Sequence, residues 1–288
     1  MLPPDAENAR RTARYRKDPA LEAALAAAND RLAIALEETA DRFDGRLLLV
    51  IGSPRSGTTL LTQLLARTRD LTYPDHVVAR FPGAPALGVL ASRSLRVAFP
   101  SMVEAVEASD APARSDHGVT PGLFEPHEAG YFWSRHFDFS RGHELDASAF
   151  SAVRWPALFG ALSALQAAGD GRPLMFKTVP LAMNIDEVAA RLPGALVLVT
   201  RRDPLDVALS VYRARIARYG DAGVFWSVAP RGHEEMAARP PVESIGAQIA
   251  GFLRAMDAAL SRVPAERRFE LDHAALVSSP SSVLGELD

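Results

Sequence analysis

The sequence predicts an α/β fold, a parallel β-sheet with helices on both faces, and three observations predict it. Short apolar runs recur at about 46–51, 173–177, 195–200 and 267–271, and segments with helical patterning alternate with them at about 57–68, 184–192, 204–219 and 243–261. Such alternation is the signature of parallel strands joined through covering helices. The runs are apolar throughout rather than alternating, as strands buried on both faces are. The first run also enters a glycine-spaced turn that opens a helix, the geometry that binds anions at a sheet edge.

Taken in order, residues 1–18 are polar and read as a loose arm. Leu21 to Phe43 carries apolar residues at helical spacing and is expected to pack as a helix before the first strand. These 45 residues form the N-terminal arm and helix, and 46–288 a single domain, with a largely helical and looped insertion over 70–172. No internal repeat interrupts this order.

The first strand runs into Gly52-Ser-Pro-Arg-Ser-Gly-Thr-Thr59. The spacing of Gly52 and Gly57 is that of the nucleotide-hydrolase loop G-x-x-x-x-G-K-[ST], but Thr58 stands where the lysine belongs and Thr59 supplies the hydroxyl. The loop's N–H groups and the helix dipole still bind an anion, since neither depends on that lysine. What is missing is the grip on a triphosphate tail. Arg55 instead offers a planar cation to one terminal oxyanion. The pattern therefore points to a P-loop-type fold and a donor with one short 5′ anionic group, held by Gly52, Ser53, Pro54, Arg55, Ser56, Gly57, Thr58 and Thr59.

The strand at 195–200 ends in Thr200-Arg201-Arg202, after which Asp203 reads as an N-cap and Pro204 as the first helical residue. Ser210 lies eight residues beyond Arg202, about two turns along. An arginine at a strand end and a hydroxyl on the next helix can hold a second phosphate together. Arg213, Arg215 and Arg218 read as solubilising surface residues. Upstream, the strand Pro173-Leu-Met-Phe-Lys177 brings Lys177 to the same edge, a charge clamp for a transferring group.

With these three motifs in order, the chain resembles the bacterial sulfotransferases that use 3′-phosphoadenosine 5′-phosphosulfate (PAPS). Their 5′-phosphosulfate loop is matched by Gly52 to Thr59, their Lys-Thr strand end by Lys177-Thr178 and their 3′-phosphate motif by Arg202 to Ser210. Phe269 to Pro280 resembles their strand leading into a late helix. The resemblance covers about 46–280. It implies PAPS as donor, no metal requirement, Arg55 and Lys177 as catalytic cations, Arg202 and Ser210 on the 3′-phosphate, and transfer to a hydroxyl or amine of a small-molecule, glycan or lipid acceptor. Two positions depart from the pattern. Val179 stands where cytosolic aryl and steroid sulfotransferases carry a histidine base, and Leu60 where they place an aromatic against adenine. The chain stops in a helix-like run at Asp288, without the family's basic Arg-x-Gly segment, which points to a truncated C-terminus or a branch without it.

The acceptor base must then lie in the insertion. Ser115 to His136 gathers His117, Glu125, His127, Glu128 and a cluster of aromatics; Glu125, His127 and Glu128 are the first candidates, His127 leading, with His117 next and His76 in reserve. The spacing lacks the H-E-x-x-H metal pattern. Alternatives from other classes are an ATP-dependent P-loop kinase or phosphotransferase, opposed by the absent lysine and by the lack of an acidic Mg²⁺ ligand after a core strand, and a non-catalytic nucleotide-binding relative. A formal charge of −3 argues against nucleic acid as partner, and the absence of cysteine removes disulfides, thiolate nucleophiles and zinc-thiolate sites. No apolar leader or membrane span is read in the sequence, so a cytoplasmic location is expected. Nothing in the sequence reads on oligomeric state.

Overall fold

The computed structural model describes residues 4–107, 118 and 120–287. Its centre is a sheet of four strands, β1 (Leu47–Gly52), β2 (Leu174–Lys177), β3 (Ala195–Arg201) and β4 (Arg268–Asp272), in the order β2-β1-β3-β4. Every pairing is parallel, with Val50 opposite Lys177, Gly52 opposite Thr200 and Arg201 opposite Asp272. The strands therefore end together, and all the candidate phosphate ligands leave from one edge.

The period of two sorts the strands' side chains into two cores. Leu47, Leu49, Ile51, Leu174, Phe176, Val197 and Val199 face one side, in the larger cluster that includes Trp133, Phe137, Leu158 and Phe252. Val50, Met175, Leu198 and Leu271 face the other, where helix α2 (Thr58–Thr68) lays down Leu61 and Leu65. Burying each such side chain contributes about 1.5–3 kcal/mol. The phosphate loop is thereby fixed between a buried strand and a buried helix stripe. After β2 a 3-10 turn (Val179–Asn184) leads into a short helix (Ile185–Arg191), and the strand β3 into a long helix whose first turn Asp203 caps at Leu205 and Asp206. No helix among the described residues is long and apolar enough to cross a membrane.

Two N-terminal expectations need correction. Helix α1 ends at Leu36 rather than near Phe43, starting at Pro19 behind its Asp18 cap. Residues 37–43 are instead drawn onto the core by Phe43, which is 2% exposed, and by the Ala40 N–H bond to Pro156. The stretch from Pro4 is not loose either: a short helix (Pro4–Arg10) and the Thr12 backbone dock on the end of the helix after β3, through Thr12 N–H to Arg218 O at 2.7 Å and Tyr219 Oη to Glu7 at 2.9 Å. Arg215 is also no surface residue. It is fully buried, donating to Ala222 O and Gln248 with no carboxylate partner among the described residues, and burial lowers its pKa to about 10.

Candidate active site

The loop between β1 and α2 takes its shape from three left-handed residues, Gly52 (φ 155°), Arg55 (φ 71°) and Gly57 (φ 100°). At Gly52 a side chain would meet the Thr200 carbonyl oxygen at 2.7 Å, so β3 passes too close for anything but glycine. Arg55 adopts the same region without being glycine, a conformation that costs about 1–3 kcal/mol and is seen where a site over-determines it. Among the contacts that hold it, Arg202 Nη1 donates to the Arg55 carbonyl at 3.0 Å, and Arg55 Nε donates to Ser210 Oγ at 3.1 Å. Beneath the loop, Ser56 Oγ and Thr200 Oγ1 pair at 2.7 Å, fully buried. Consecutive N–H groups around such a turn form a concave anion seat at the N-terminus of α2.

The other motifs converge on this seat. Lys177, only 8% exposed at the end of β2, donates to Thr59 Oγ1 at 3.0 Å and stands 3.5 Å from Glu128 Oε2. Arg202 Nε is buried without a hydrogen-bond partner, its nearest carboxylate oxygen, on Asp206, at 3.8 Å. An unmet donor beside an anion seat is what a second phosphate would satisfy. Gly118, in the insertion, approaches the loop closely enough that a side chain there would meet Arg55 Nη1 at 3.3 Å.

The candidate bases separate. Glu125 is 5% exposed with both oxygens engaged, Oε2 by Gln63 Nε2 at 2.7 Å and Oε1 by Arg67 Nη2 at 3.0 Å. His127 Nδ1 accepts the Ala129 N–H at 2.9 Å, so the neutral ring carries its proton on Nε2 and presents no free lone pair. Burial, with Coulomb repulsion from His76 and Lys177, lowers its pKa to about 3. Its ring meets His76 edge-on at 4.8 Å. His76 Nε2 faces Thr120 Oγ1, whose own proton goes to Pro126 O, so that nitrogen is the donor. His117 lies outside the described residues. Glu128, with 37% of its side chain exposed, is the one of the three first candidates that meets the phosphate-loop machinery, through Lys177.

Four contributors were not read from the sequence. Thr200 supports the loop from the neighbouring strand, a role that needs the parallel register to be seen. His273 opens the helix after β4, and a side chain on Gly57 would strike its ring at 2.6 Å. Its position in the segment Phe269 to Pro280, directly after the last strand, was the available signal. Burial, reinforced by Arg202, lowers the His273 pKa. Gln63 and Arg67, the partners of Glu125, carry only the helical spacing of α2 as a clue. Among the described residues no three His, Asp or Glu side chains converge as metal ligands.

Solved structures share the fold. The crystal structure of sulfotransferase STF1 from Mycobacterium tuberculosis superposes with a TM-score of 0.56 at 17% identity, covering 90% of this chain and 70% of that one. Sulfotransferase STF9 from Mycobacterium avium gives 0.55 at 16% identity, covering 86% of this chain and 64% of that one. At these identities the likeness is one of fold, and the chain spans about two thirds of the length of either protein. No curated protein matches the sequence significantly. The profile of the sulfotransferase family matches residues 48–287, nearly the whole of the sheet, its helices and the insertion, and the chain belongs to that family.

Proposed function

We propose that the protein transfers a sulfuryl group from PAPS to a hydroxyl or amine of a small-molecule, glycan or lipid acceptor by in-line displacement. The observation that carries this reading is the meeting of three distant motifs at one sheet edge, Lys177 Nζ at Thr59 Oγ1 and Arg55 Nε at Ser210 Oγ. The residues fit the donor: a glycine cradle for a 5′ oxyanion, Thr58 in place of the loop lysine that grips a triphosphate, and an unmet Arg202 Nε beside Ser210's helix. The donor, when bound, supplies the sulfuryl group and departs as adenosine 3′,5′-bisphosphate.

The chain's own part is positioning and charge. N–H groups of Gly57 to Thr59 receive the 5′ oxyanion, with Ser56 beneath them turned into the loop by its N–H bond to Ser53 O, and Arg55 and Lys177 set fixed cations where negative charge grows. Arg202 and Ser210 hold the 3′-phosphate end. Glu128 takes the acceptor proton at its carboxylate, in place of the histidine that Val179 replaces, while Glu125 and His127 are occupied elsewhere. The test is release of adenosine 3′,5′-bisphosphate from PAPS on addition of acceptors from each class, in the presence of a chelator. Acceptor-dependent release without Mg²⁺ supports the reading. Absence of release with every acceptor, with the bisphosphate still bound, would identify a non-catalytic nucleotide-binding relative.

A further inference from the structure

Thr59, Gln63 and Arg67 lie four residues apart along α2 and so share one face of that helix. Thr59, in the first turn, receives Lys177. Gln63 and Arg67, one and two turns on, both reach Glu125. The segment that carries Glu125 is short and is held from its other side as well. Asp75 and Pro126 form an antiparallel bridge, His76 N–H donates to Leu123 O at 3.0 Å, and His127 N–H donates to Pro74 O at 2.7 Å. Arg96 adds a bond to Phe124 O at 3.2 Å and lies 4.4 Å over the Phe124 ring, anchored to Asp75. Three residues past Glu125 comes Glu128.

We propose that Glu125 is a positioning residue: its buried contact with Gln63 and Arg67 ties the 123–128 segment to the helix that the phosphate loop opens, and so fixes the reach of Glu128 to the transferring group. The inference rests on the sulfuryl-transfer reading above. The backbone pairing with 74–76 sets the segment's direction but does not touch α2. The Glu125 carboxylate does so directly, at Gln63 and Arg67, whereas Glu128 reaches Thr59 on that face only through Lys177. A rigid tie matters because a displacement of about 1 Å at the reacting groups costs on the order of 10²-fold in rate.

The experiment compares wild type, Glu125→Gln, Glu125→Ala and the exchange pair Gln63→Glu with Glu125→Gln, which puts the carboxylate on the helix beside Arg67 and the amide on the segment. Four quantities are read: kcat with PAPS and acceptor, the Kd of adenosine 3′,5′-bisphosphate, the acid limb of the pH–rate profile, and hydrogen exchange of the 123–128 amides. The expectation is a fall in kcat of about 10- to 100-fold in the single variants, with the Kd changed by less than about threefold and the acid limb retained at lower amplitude. Exchange over 123–128 accelerates in the single variants, and the exchange pair restores both rate and protection. Loss of the acid limb in Glu125→Gln overturns the proposal by making Glu125 itself the base. Unchanged kcat and exchange in the single variants, or no rescue by the pair, also overturn it. A wild-type chain that binds no bisphosphate and turns over no PAPS removes the transfer reading and the inference with it, whereas a working wild type with indifferent Glu125 variants removes the inference alone.

Discussion

His127→Asn separates a structural histidine from a catalytic one in a single protein. The asparagine oxygen can take over the Ala129 N–H that Nδ1 now accepts, so the turn is kept while the titrating ring is removed. His127 titrates at 6.5 in its ordinary state and at about 3 in the fold, because burial, then His76 and Lys177, oppose the imidazolium. A histidine depressed in this way binds its proton in the unfolded chain first, so stability is lost as pH falls below 6.5 and goes on being lost until about 3. Between pH 7 and pH 5 the loss from this ring is about 2 kcal/mol. His136 and His143, both lowered to about 4 chiefly by burial, add about 2 kcal/mol each over the same window. Urea unfolding at the two pH values is thus expected to show a drop in stability that is about 2 kcal/mol smaller in His127→Asn than in wild type, while kcat at pH 7.5 stays within about threefold. A hundredfold fall in kcat with normal bisphosphate binding, or an unchanged pH dependence of stability, would refute the reasoning.

The remaining predictions concern the phosphate seats and the base. Glu128→Gln is expected to lower kcat by about 10²–10⁴ and to remove the acid limb of the pH–rate profile without changing the bisphosphate Kd; steady-state rates at saturating PAPS check this. Arg202→Ala is expected to raise the PAPS KM by the loss of a charge-assisted contact of about 1.5–3 kcal/mol, whereas Arg55→Ala lowers kcat by about 10² or more, and the reverse pattern would exchange their roles. Gly52→Ala is expected to destabilise the fold by about 2–4 kcal/mol, since φ 155° and the Thr200 carbonyl at 2.7 Å both exclude a side chain, and thermal melts with and without bisphosphate measure the fall in Tm and the loss of ligand stabilisation.

The sheet was legible because its strands are short, apolar and separated by helical segments: β3 begins at Ala195 and its following, Asp203-capped helix at Pro204, as the Asp203-Pro204 pair predicts. The phosphate loop was legible because glycine spacing is dictated by local backbone geometry. The end of α1 was not, since Glu37 to Phe43 has helix-forming residues and is pulled out of helix by a tertiary contact of Phe43. Arg215 misled for the same reason: an arginine on a helix reads as solvated until the neighbouring helix supplies Gln248 and Ser244. Among the acceptor-side groups, composition brought Glu125, His127 and Glu128 into view together. Which carboxylate is tied down depends on Gln63 and Arg67, some sixty positions away in the chain, and no local pattern encodes that pairing.

The account turns on a seat built for a 5′ anion and a 3′-phosphate rather than a triphosphate, and titration calorimetry of the same protein with adenosine 3′,5′-bisphosphate and with ATP tests this most directly. The bisphosphate is expected to bind with a Kd in the micromolar range, about −8 kcal/mol, unaffected by Mg²⁺, and ATP much more weakly. ATP binding tighter than the bisphosphate, particularly with Mg²⁺ present, would contradict the account.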